Sequence, residues 1–279
     1  MGLFSPKLLV AFDASGVCGA RLPLRLGAPK VESLVRIPLP AGALQPAPFE
    51  ENLLQPGEVR RALRELRGRL GDVARACLIL PDGVARTLLL EPPPGTEADA
   101  FARFRMVPSL PYASGEAVVD VLAVGRGRYV AAAVRRGVVR SYEAAAADAG
   151  FAQERVDLAP LTALAALLHE GPRGGFVALI LGDAAFSLVA CGDDGVPRLV
   201  RSRQRDPGAD EAFRLKEELE RTALAAGLGA TPRVRIVGAG APALMRTFAG
   251  QPVEAGWQAS REGLPADAAE LAWFGAALA

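Results

Sequence analysis

Hydrophobic positions along the chain follow two periods, and each period predicts a type of secondary structure. The short apolar run LLVAFD at 8–13 and a second run near 17–26 flank a turn of small residues, which predicts an opening β-hairpin. From Val59 to Leu70, apolar residues recur at intervals of four, three and four, with arginines between them. That spacing predicts an amphipathic helix. The intervening segment 38–57 is rich in proline, glycine and alanine and is predicted to be a loop.

The middle of the chain alternates strand-like and helix-like patterns. ACLILP and ARTLLLEPPP predict two strands around a turn at Asp82 and Gly83. The segment TEADAFARFRM predicts a helix with Thr96 as its N-cap. Two strands, AVVDVLAV and RYVAAAV, are followed by a helix that should end at Gly150, in the position after the C-cap. We interpret 96–157 as a compact βαβ-type inset.

The last third repeats the design of the first. LAPLTALAALLHEG predicts a buried helix, and GFVALILGDAAFSLVACGDDGVPRLVRS predicts three strands separated by Gly/Asp turns. A helix follows, whose apolar stripe consists of Ala212, Leu215, Leu219, Ala223 and Ala226. VRIVGAGAPALMRTF predicts a strand, a glycine turn and a helix, and ADAAELAWFGAALA predicts a closing apolar helix. Two sections of the chain therefore each open with a hairpin of similar design.

Composition excludes several functional classes. The 279 residues carry a formal net charge of +1, so no overall field attracts nucleic acid or an anionic membrane. Cys18, Cys77 and Cys191 are far apart and form no CxxC, which predicts a reducing compartment without disulfides. No segment approaches the roughly 20 apolar residues of a membrane span. We expect a cytoplasmic protein.

Metal and acid–base chemistry have little support in the side chains. His169 is the sole histidine, and its position near the end of a predicted helix favours an interaction with the helix C-terminus. With one histidine and no cysteine cluster, we predict no metal site of the zinc type and no catalytic residues that depend on histidine. The basic stretches at 60–69 and 201–206 lack interleaved aromatics, so single-stranded nucleic acid is not expected as a partner.

The order of motifs resembles one known family. MGLFSPKLLVAFDASG, CLILPDGVARTLLLEPP, VALILGDAAFSL, VGAGAPAL and ELAWFGAALA follow one another as in the PilM-type actin-like proteins of type IV pilus assembly, relatives of FtsA within the actin/Hsp70 ATPase superfamily. The resemblance implies an α/β actin-like fold with two lobes, each a ribonuclease H-like half, and a small inset of the subdomain 1C type. Fold alone does not transmit activity.

The resemblance also implies a division of the chain. The first lobe would comprise 1–95, with 156–172 and the C-terminal helix 266–279. The inset subdomain would comprise 96–155, and the second lobe 173–265.

In this family, the turns of two hairpins and a later glycine loop hold ATP with Mg²⁺. The positions that match are Asp13, Ser15, Gly16, Gly182, Gly238 and Gly240, and Asp183 in the second turn could reach a phosphate-bound metal only if that hairpin is shaped differently. However, Ile180 lies where the family has its second acidic residue, and Ala20 lies where it has a basic one. We therefore expect weak nucleotide binding or none. Asp13 could equally cap its own turn, and the glycines could be ordinary turn glycines.

The function implied by the resemblance is that of a non-catalytic scaffold. Such a protein binds the cytoplasmic tail of a PilN-type membrane protein in a groove between the first lobe and the inset. Candidate groove residues are Val107, Leu110, Tyr112 and Tyr142. The protein would lie at the cytoplasmic face of the inner membrane with other pilus components, and self-association stays open. The alternative is an enzyme of the same superfamily, an ATPase or a small-molecule kinase that uses ATP with Mg²⁺.

Overall fold

The structure, a computed structural model, describes most of the chain. The described residues are 8–21, 33–71, 75–169, 174–206, 208, 210–229, 233–238 and 253–255. Predictions for the N-terminal GLF segment, for Gly171, for most of the loop VGAGAPAL and for the helix 266–279 lie outside these residues.

The first sheet contains five strands in the order β3-β2-β1-β4-β8. Its strands are β1 (Leu8–Asp13), β2 (Gly16–Arg21), β3 (Ser33–Pro38), β4 (Arg75–Leu80) and β8 (Ala152–Leu158). β1, β2 and β3 pair antiparallel, whereas β4 pairs parallel with both β1 and β8. The opening hairpin is confirmed, with Asp13 opposite Gly16 at its turn.

The second sheet repeats this topology, in the order β11-β10-β9-β12-β13. Its strands are β9 (Phe176–Leu181), β10 (Ala185–Cys191), β11 (Pro197–Gln204), β12 (Arg233–Gly238) and β13 (Val253–Ala255). β9 pairs antiparallel with β10 and parallel with β12, as β1 does with β2 and β4. The two sheets are thus halves of one design.

A third, inset sheet contains three strands in the order β5-β7-β6. These are β5 (Ala85–Leu90), β6 (Ala117–Gly125) and β7 (Arg128–Arg135). One face of the sheet packs on helix α2 (Ala98–Met106), through a small core that includes Leu90, Ala102 and Met106. Two short 3-10 helices, Val107–Ser109 and Ser114–Glu116, connect α2 to β6.

Four further helices cover the sheets. They are α1 (Pro56–Leu70), α3 (Arg136–Asp148), α4 (Ala159–His169) and α5 (Glu211–Ala225). α1, α3 and α5 each have one apolar face, and α4 is apolar on all sides. α1 buries the predicted stripe from Val59 to Leu70 against the first sheet, in the same core as parts of α3. α5 packs on one face of the second sheet and α4 on the other. Gly150 follows α3 with a φ of +89°, as predicted for the position after a C-cap.

Three local predictions differ from the structure. β4 and β5 form no hairpin, because β4 pairs within the first sheet and β5 pairs with β7 of the inset sheet. β3 and β8 were not predicted. The N-cap of α2 is Glu97 rather than Thr96.

Strand pairing assigns two strands differently from the lobe boundaries that the sequence predicted. It puts β5 in the inset sheet and β8 in the first sheet, whereas the sequence boundaries placed β5 in the first lobe and the first half of β8 in the inset. The division into lobes stays a prediction in other respects.

Candidate functional site

The hairpin turns of the two large sheets contact each other. Asp13 ends β1, Ser15 lies in the turn that follows, and Asp183 lies in the corresponding turn between β9 and β10. The Ser15 hydroxyl donates a hydrogen bond to Oδ2 of Asp183. Because the two sheets share one topology, these turns are equivalent points of the two halves. The sequence therefore identified residues that the fold does bring together.

Arg36 completes this cluster, and sequence reasoning missed it. It comes from β3, with Nη2 2.5 Å from the Ser15 Oγ and 3.8 Å from Oδ2 of Asp183. The arginine thus places a positive charge beside the Asp183 carboxylate. No sequence motif marks Arg36, because its contact depends on a strand that local pattern did not predict.

Asp13 has an unusual electrostatic environment. Burial is the main cause that raises its pKa to about 7, and the nearby Asp183 carboxylate raises it further. The Ala14 amide, 2.8 Å from Oδ1, and the more distant Arg36 oppose this rise in pKa. The Ala14 contact also shows that Asp13 bonds to its own turn.

Close packing explains why the residue at each of the positions of Gly16 and Gly182 has no side chain. A Cβ on Gly16 would lie 2.7 Å from the carbonyl oxygen of Ile37 in β3. A Cβ on Gly182 would lie 3.2 Å from the Cβ of Asp82 and 3.2 Å from the carbonyl oxygen of Ala185. Neither glycine needs a phosphate to account for it.

The fit of these turns to a magnesium nucleotide is incomplete. Ile180 is buried in the core against α4, so it offers no carboxylate, and Asp183 is engaged with Arg36 and Ser15. Within the described residues, no group of three or more acidic, histidine or cysteine side chains could hold a metal ion. Gly238 ends β12 with a φ of +121°, and Gly240 lies outside the described residues.

A buried polar network lies beside these turns. Asp82 follows β4, and its carboxylate accepts hydrogen bonds from the Gly83 amide at 3.2 Å and from the Ser187 hydroxyl at 3.3 Å. Ser187 and Thr87 each share a hydrogen bond with Ser202, at 2.8 and 3.2 Å. Burial raises the pKa of Asp82 to about 7. The network joins the first and inset sheets to the second, and an Asp-Gly pair after a buried strand was its only sequence signal.

An apolar groove lies between the edges of two sheets. β6 is an edge of the inset sheet and β8 is an edge of the described first sheet. The groove, of about 220 Å³, runs between these strands and α4, and we call it the β6–β8 groove. Its lining is Leu80, Val118, Asp120, Val121, Leu122, Ala132, Val134, Val139, Val156, Asp157, Leu158, Leu161, Thr162 and Ala165.

The residues that the sequence proposed for a partner groove lie elsewhere. Tyr142 is fully buried in the first core, with its ring edge-on to Phe12 at 4.9 Å, so it cannot contact a partner. Val107, Leu110 and Tyr112 are half-buried against the inset core. Leu110 and Tyr112 line a different cavity of about 640 Å³, between the inset sheet and the second sheet. The location between the first lobe and the inset has a groove, but other side chains form it.

Two sheets of one topology, whose hairpin turns contact each other, are consistent with an actin-like fold. Within that class, a solved PilM–PilN type IV pilus biogenesis complex has a chain of similar fold, with a TM-score of 0.74 and 19% sequence identity. The match covers 98% of this chain and 97% of that one. The resemblance to PilM-type proteins is thereby confirmed as a likeness of fold.

Two other solved structures share the fold. The cytoplasmic domain of EpsL, an inner-membrane component of the type II secretion system of Vibrio cholerae, matches 84% of this chain and 82% of its own, with 14% identity and a TM-score of 0.54. A Bacteroides thetaiotaomicron protein with an actin-like ATPase fold and unknown function matches 88% and 87%, with 9% identity and a TM-score of 0.57.

Sequence comparison adds no family assignment. No protein-family model matches the chain, and no curated protein matches it. Among the described residues, no helix is long and apolar enough to cross a membrane.

Proposed function

We propose that this protein is a non-catalytic actin-like scaffold that binds the cytoplasmic tail of a PilN-type inner-membrane protein. The β6–β8 groove carries the proposal. It is mostly apolar, and one face of β6 and β7 lines it together with β8 and α4, so it could hold the apolar side chains of a peptide. The likeness of fold to the chain in the PilM–PilN complex suggests the occupant. The protein would then reside at the cytoplasmic face of the inner membrane through its partner.

The charged residues of the groove lining indicate what kind of peptide it would bind. Asp120 and Asp157 are the charged residues of the lining, and Asp157 already accepts hydrogen bonds from Arg155 at 2.9 Å and Cys77 at 3.2 Å. Asp120 is exposed, and its Oδ1 accepts a hydrogen bond from the Val121 amide at 2.8 Å, so a basic residue of a peptide could reach its carboxylate. A tail with apolar anchor residues and a nearby basic residue would therefore suit the groove.

A binding experiment with a matched control tests this function. A fluorescent peptide of a cognate PilN-type tail should bind the parent protein, and Ala165→Arg, which puts a long side chain into the groove, should weaken binding by about tenfold or more. Ala147→Arg on the exposed face of α3 should leave the affinity unchanged. Equal binding by both variants, or no binding of any cognate tail, would contradict the proposal.

The proposal also concerns the two hairpin turns that carry Asp13 and Asp183, where the family resemblance implies a nucleotide site. Arg36 and Ser15 engage Asp183, which supports a cleft closed by internal contacts rather than one that holds ATP with Mg²⁺. Calorimetric titration of ATP with Mg²⁺ tests this separately from peptide binding. Tight binding, with turnover that Asp13→Ala abolishes, would favour the alternative of an ATPase or kinase.

A further inference from the structure

The turn at the tip of the inset hairpin has an unusual backbone. β6 and β7 pair as far as Gly125 and Arg128, which leaves Arg126 and Gly127 as a two-residue turn. Their φ angles are +51° and +72°, so both residues lie in the left-handed region. Such turns favour asparagine, aspartate or glycine, and Arg126 is the one residue other than glycine with a positive φ among the described residues. An arginine held in this strained conformation indicates a role for its side chain.

That side chain reaches the second sheet. Nη1 of Arg126 lies 2.9 Å from Oδ2 of Asp194, which lies in the turn between β10 and β11. Oδ1 of Asp194 accepts a hydrogen bond from the Val196 amide at 3.1 Å, so the carboxylate is fixed by its own turn. The ion pair therefore links two hairpin turns, one from the inset and one from the second sheet. We call this pair of turns the inset clasp.

Neighbouring contacts of the inset clasp are close as well. Nη1 of Arg128 donates a hydrogen bond to the carbonyl oxygen of Pro197 at 3.4 Å. A Cβ on Gly125 would lie 3.7 Å from Cγ2 of Val196, which is ordinary van der Waals contact. The two turns are thus packed against each other, with the ion pair at their exposed side.

The inset clasp lies at the end of a strand that lines the β6–β8 groove. Leu122 of β6 is part of the groove lining and precedes Gly125 by three residues. Val124 lies between them and is buried in one core with residues of α4 and of the second sheet. Leu122 and Leu161, both of the groove lining, pack against that same core. The contact of β6 with the second sheet and its position beside α4 are therefore linked.

We propose that the inset clasp positions β6 as a wall of the β6–β8 groove, so that tail binding depends on the Arg126–Asp194 ion pair. This inference rests on the function proposed above, and it names two positioning residues that lie outside the groove lining. Without the ion pair, the tip of the hairpin separates more often from the second sheet. The tail must then restore the position of β6 as it binds, which weakens its affinity.

Three variants separate the ion pair from the strained turn. Arg126→Gln and Asp194→Asn each remove the ion pair, whereas Arg126→Lys keeps the charge at the same left-handed position. Arg126 is 70% exposed, and an exposed ion pair is worth up to about fivefold in an equilibrium constant. Arg126→Gln and Asp194→Asn should therefore weaken binding of the fluorescent tail peptide by about three- to fivefold, and Arg126→Lys by less than about twofold.

A charge control and a salt series accompany these titrations. Arg64→Gln removes a charge from an exposed position on α1 and should bind the tail like the parent. Added salt should abolish the difference in affinity between the parent and Arg126→Gln, because screening weakens an exposed ion pair. A difference that persists at high salt would overturn the inference, since the substitution would then act through packing.

Hydrogen exchange without any peptide tests the inset clasp by itself. The amides of residues 122–130 should exchange about three- to fivefold faster in Arg126→Gln and Asp194→Asn than in the parent, and thermal melting should confirm that the variants fold. Unchanged exchange in both variants, or faster exchange with unchanged tail affinity, overturns the inference while the scaffold function stands. If no cognate tail binds the parent, the proposed function fails and this inference fails with it.

Discussion

The Ser187 hydroxyl lies 3.3 Å from Oδ2 of Asp82, and this contact joins the second sheet to the turn that follows β4. Both side chains are buried, so water cannot replace the bond. A carboxylate in this position is costly in its charged form, since burial removes its hydration. The contact therefore ties the stability of the protein to the protonation of Asp82.

We predict that the free energy of unfolding falls as pH rises from about 4 to about 7. Burial raises the pKa of Asp82 to about 7 in the folded protein, so between these values the folded chain holds a proton that the unfolded chain has lost. Stability thus decreases with pH until the folded carboxyl ionises. Asp13, whose pKa is raised in the same direction, contributes likewise.

Urea unfolding at a series of pH values measures the effect. Asp82→Asn should reduce the slope of the curve, leaving the contribution of Asp13, and should stabilise the protein relative to the parent at pH 8 by as much as about 4 kcal/mol. Asp99→Asn, an exposed change on α2, should leave the curve as it is. An unchanged pH dependence in Asp82→Asn would show that Asp82 does not titrate as we expect.

A second electrostatic prediction concerns the two hairpin turns that carry Asp13 and Asp183. The Asp183 carboxylate raises the pKa of Asp13, and Arg36 lowers it. Asp183→Asn should therefore lower the pKa of Asp13, whereas Arg36→Gln should raise it. Carbon-detected NMR titration of the Asp13 carboxyl measures both. If the two variants moved the pKa in the same direction, the cluster could not have the charges that we assign to it.

The sequence predicted the elements whose burial follows a clear local period. The stripe from Val59 to Leu70 repeats with the turn of a helix, so α1 was expected where it is found. β3 and β8 were missed because they are edge strands with polar and charged residues; in β3, exposed Leu34 and Arg36 alternate with less exposed neighbours. Their strand character comes from pairing, which local pattern does not encode.

Strand pairing also determines which of the candidate site residues lie close together. An Asp-Gly turn between two apolar runs gives the same local signal whether the strands return on each other or diverge into different sheets, as β4 and β5 do. Ser15 and Asp183 are 168 positions apart, and only the repeated topology brings them together. Tyr142 was a wrong candidate for the partner groove for a related reason, since an apolar side chain suits a core as well as a groove; the roles of Val107, Leu110 and Tyr112 stay predictions.

Two glycines near α1 should respond in opposite directions to alanine. A Cβ on Gly19 of β2 would lie 3.1 Å from Leu66 Cδ1 and closer still to Leu70, and both leucines are buried. Gly19→Ala should therefore lower the free energy of unfolding by about 1–3 kcal/mol. Gly68, in the helix, has open space around it, and Gly68→Ala should raise that free energy by about 0.5–1 kcal/mol.

Urea unfolding of the two variants tests the packing of α1 on β2. Gly68→Ala serves as the control, because it adds the same methyl group to an exposed position of α1, outside the interface with β2. A stabilising Gly19→Ala would mean that α1 lies further from the first sheet than the structure has it.

The Tyr142 hydroxyl should stabilise the loop that precedes α1. It donates to Oδ1 of Asn52 at 3.1 Å, and the Asn52 amide donates to the carbonyl oxygens of Ala47 and Glu50 at 2.9 Å each. Tyr142→Phe should cost about 0.5–1.5 kcal/mol, the net value of one hydrogen bond. Asn52→Ala should cost more, because it leaves the hydroxyl and two carbonyl oxygens without their partner.

A double-mutant cycle in urea separates this coupling from simple loss of packing. If Tyr142 acts through Asn52, Tyr142→Phe in the Asn52→Ala background should cost less than it does in the parent. Tyr129→Phe, on a half-buried tyrosine of β7, should change stability by less than about 0.5 kcal/mol and so reports the effect of the lost oxygen alone. Additive costs for Tyr142→Phe and Asn52→Ala would instead mean that the two side chains stabilise the core independently.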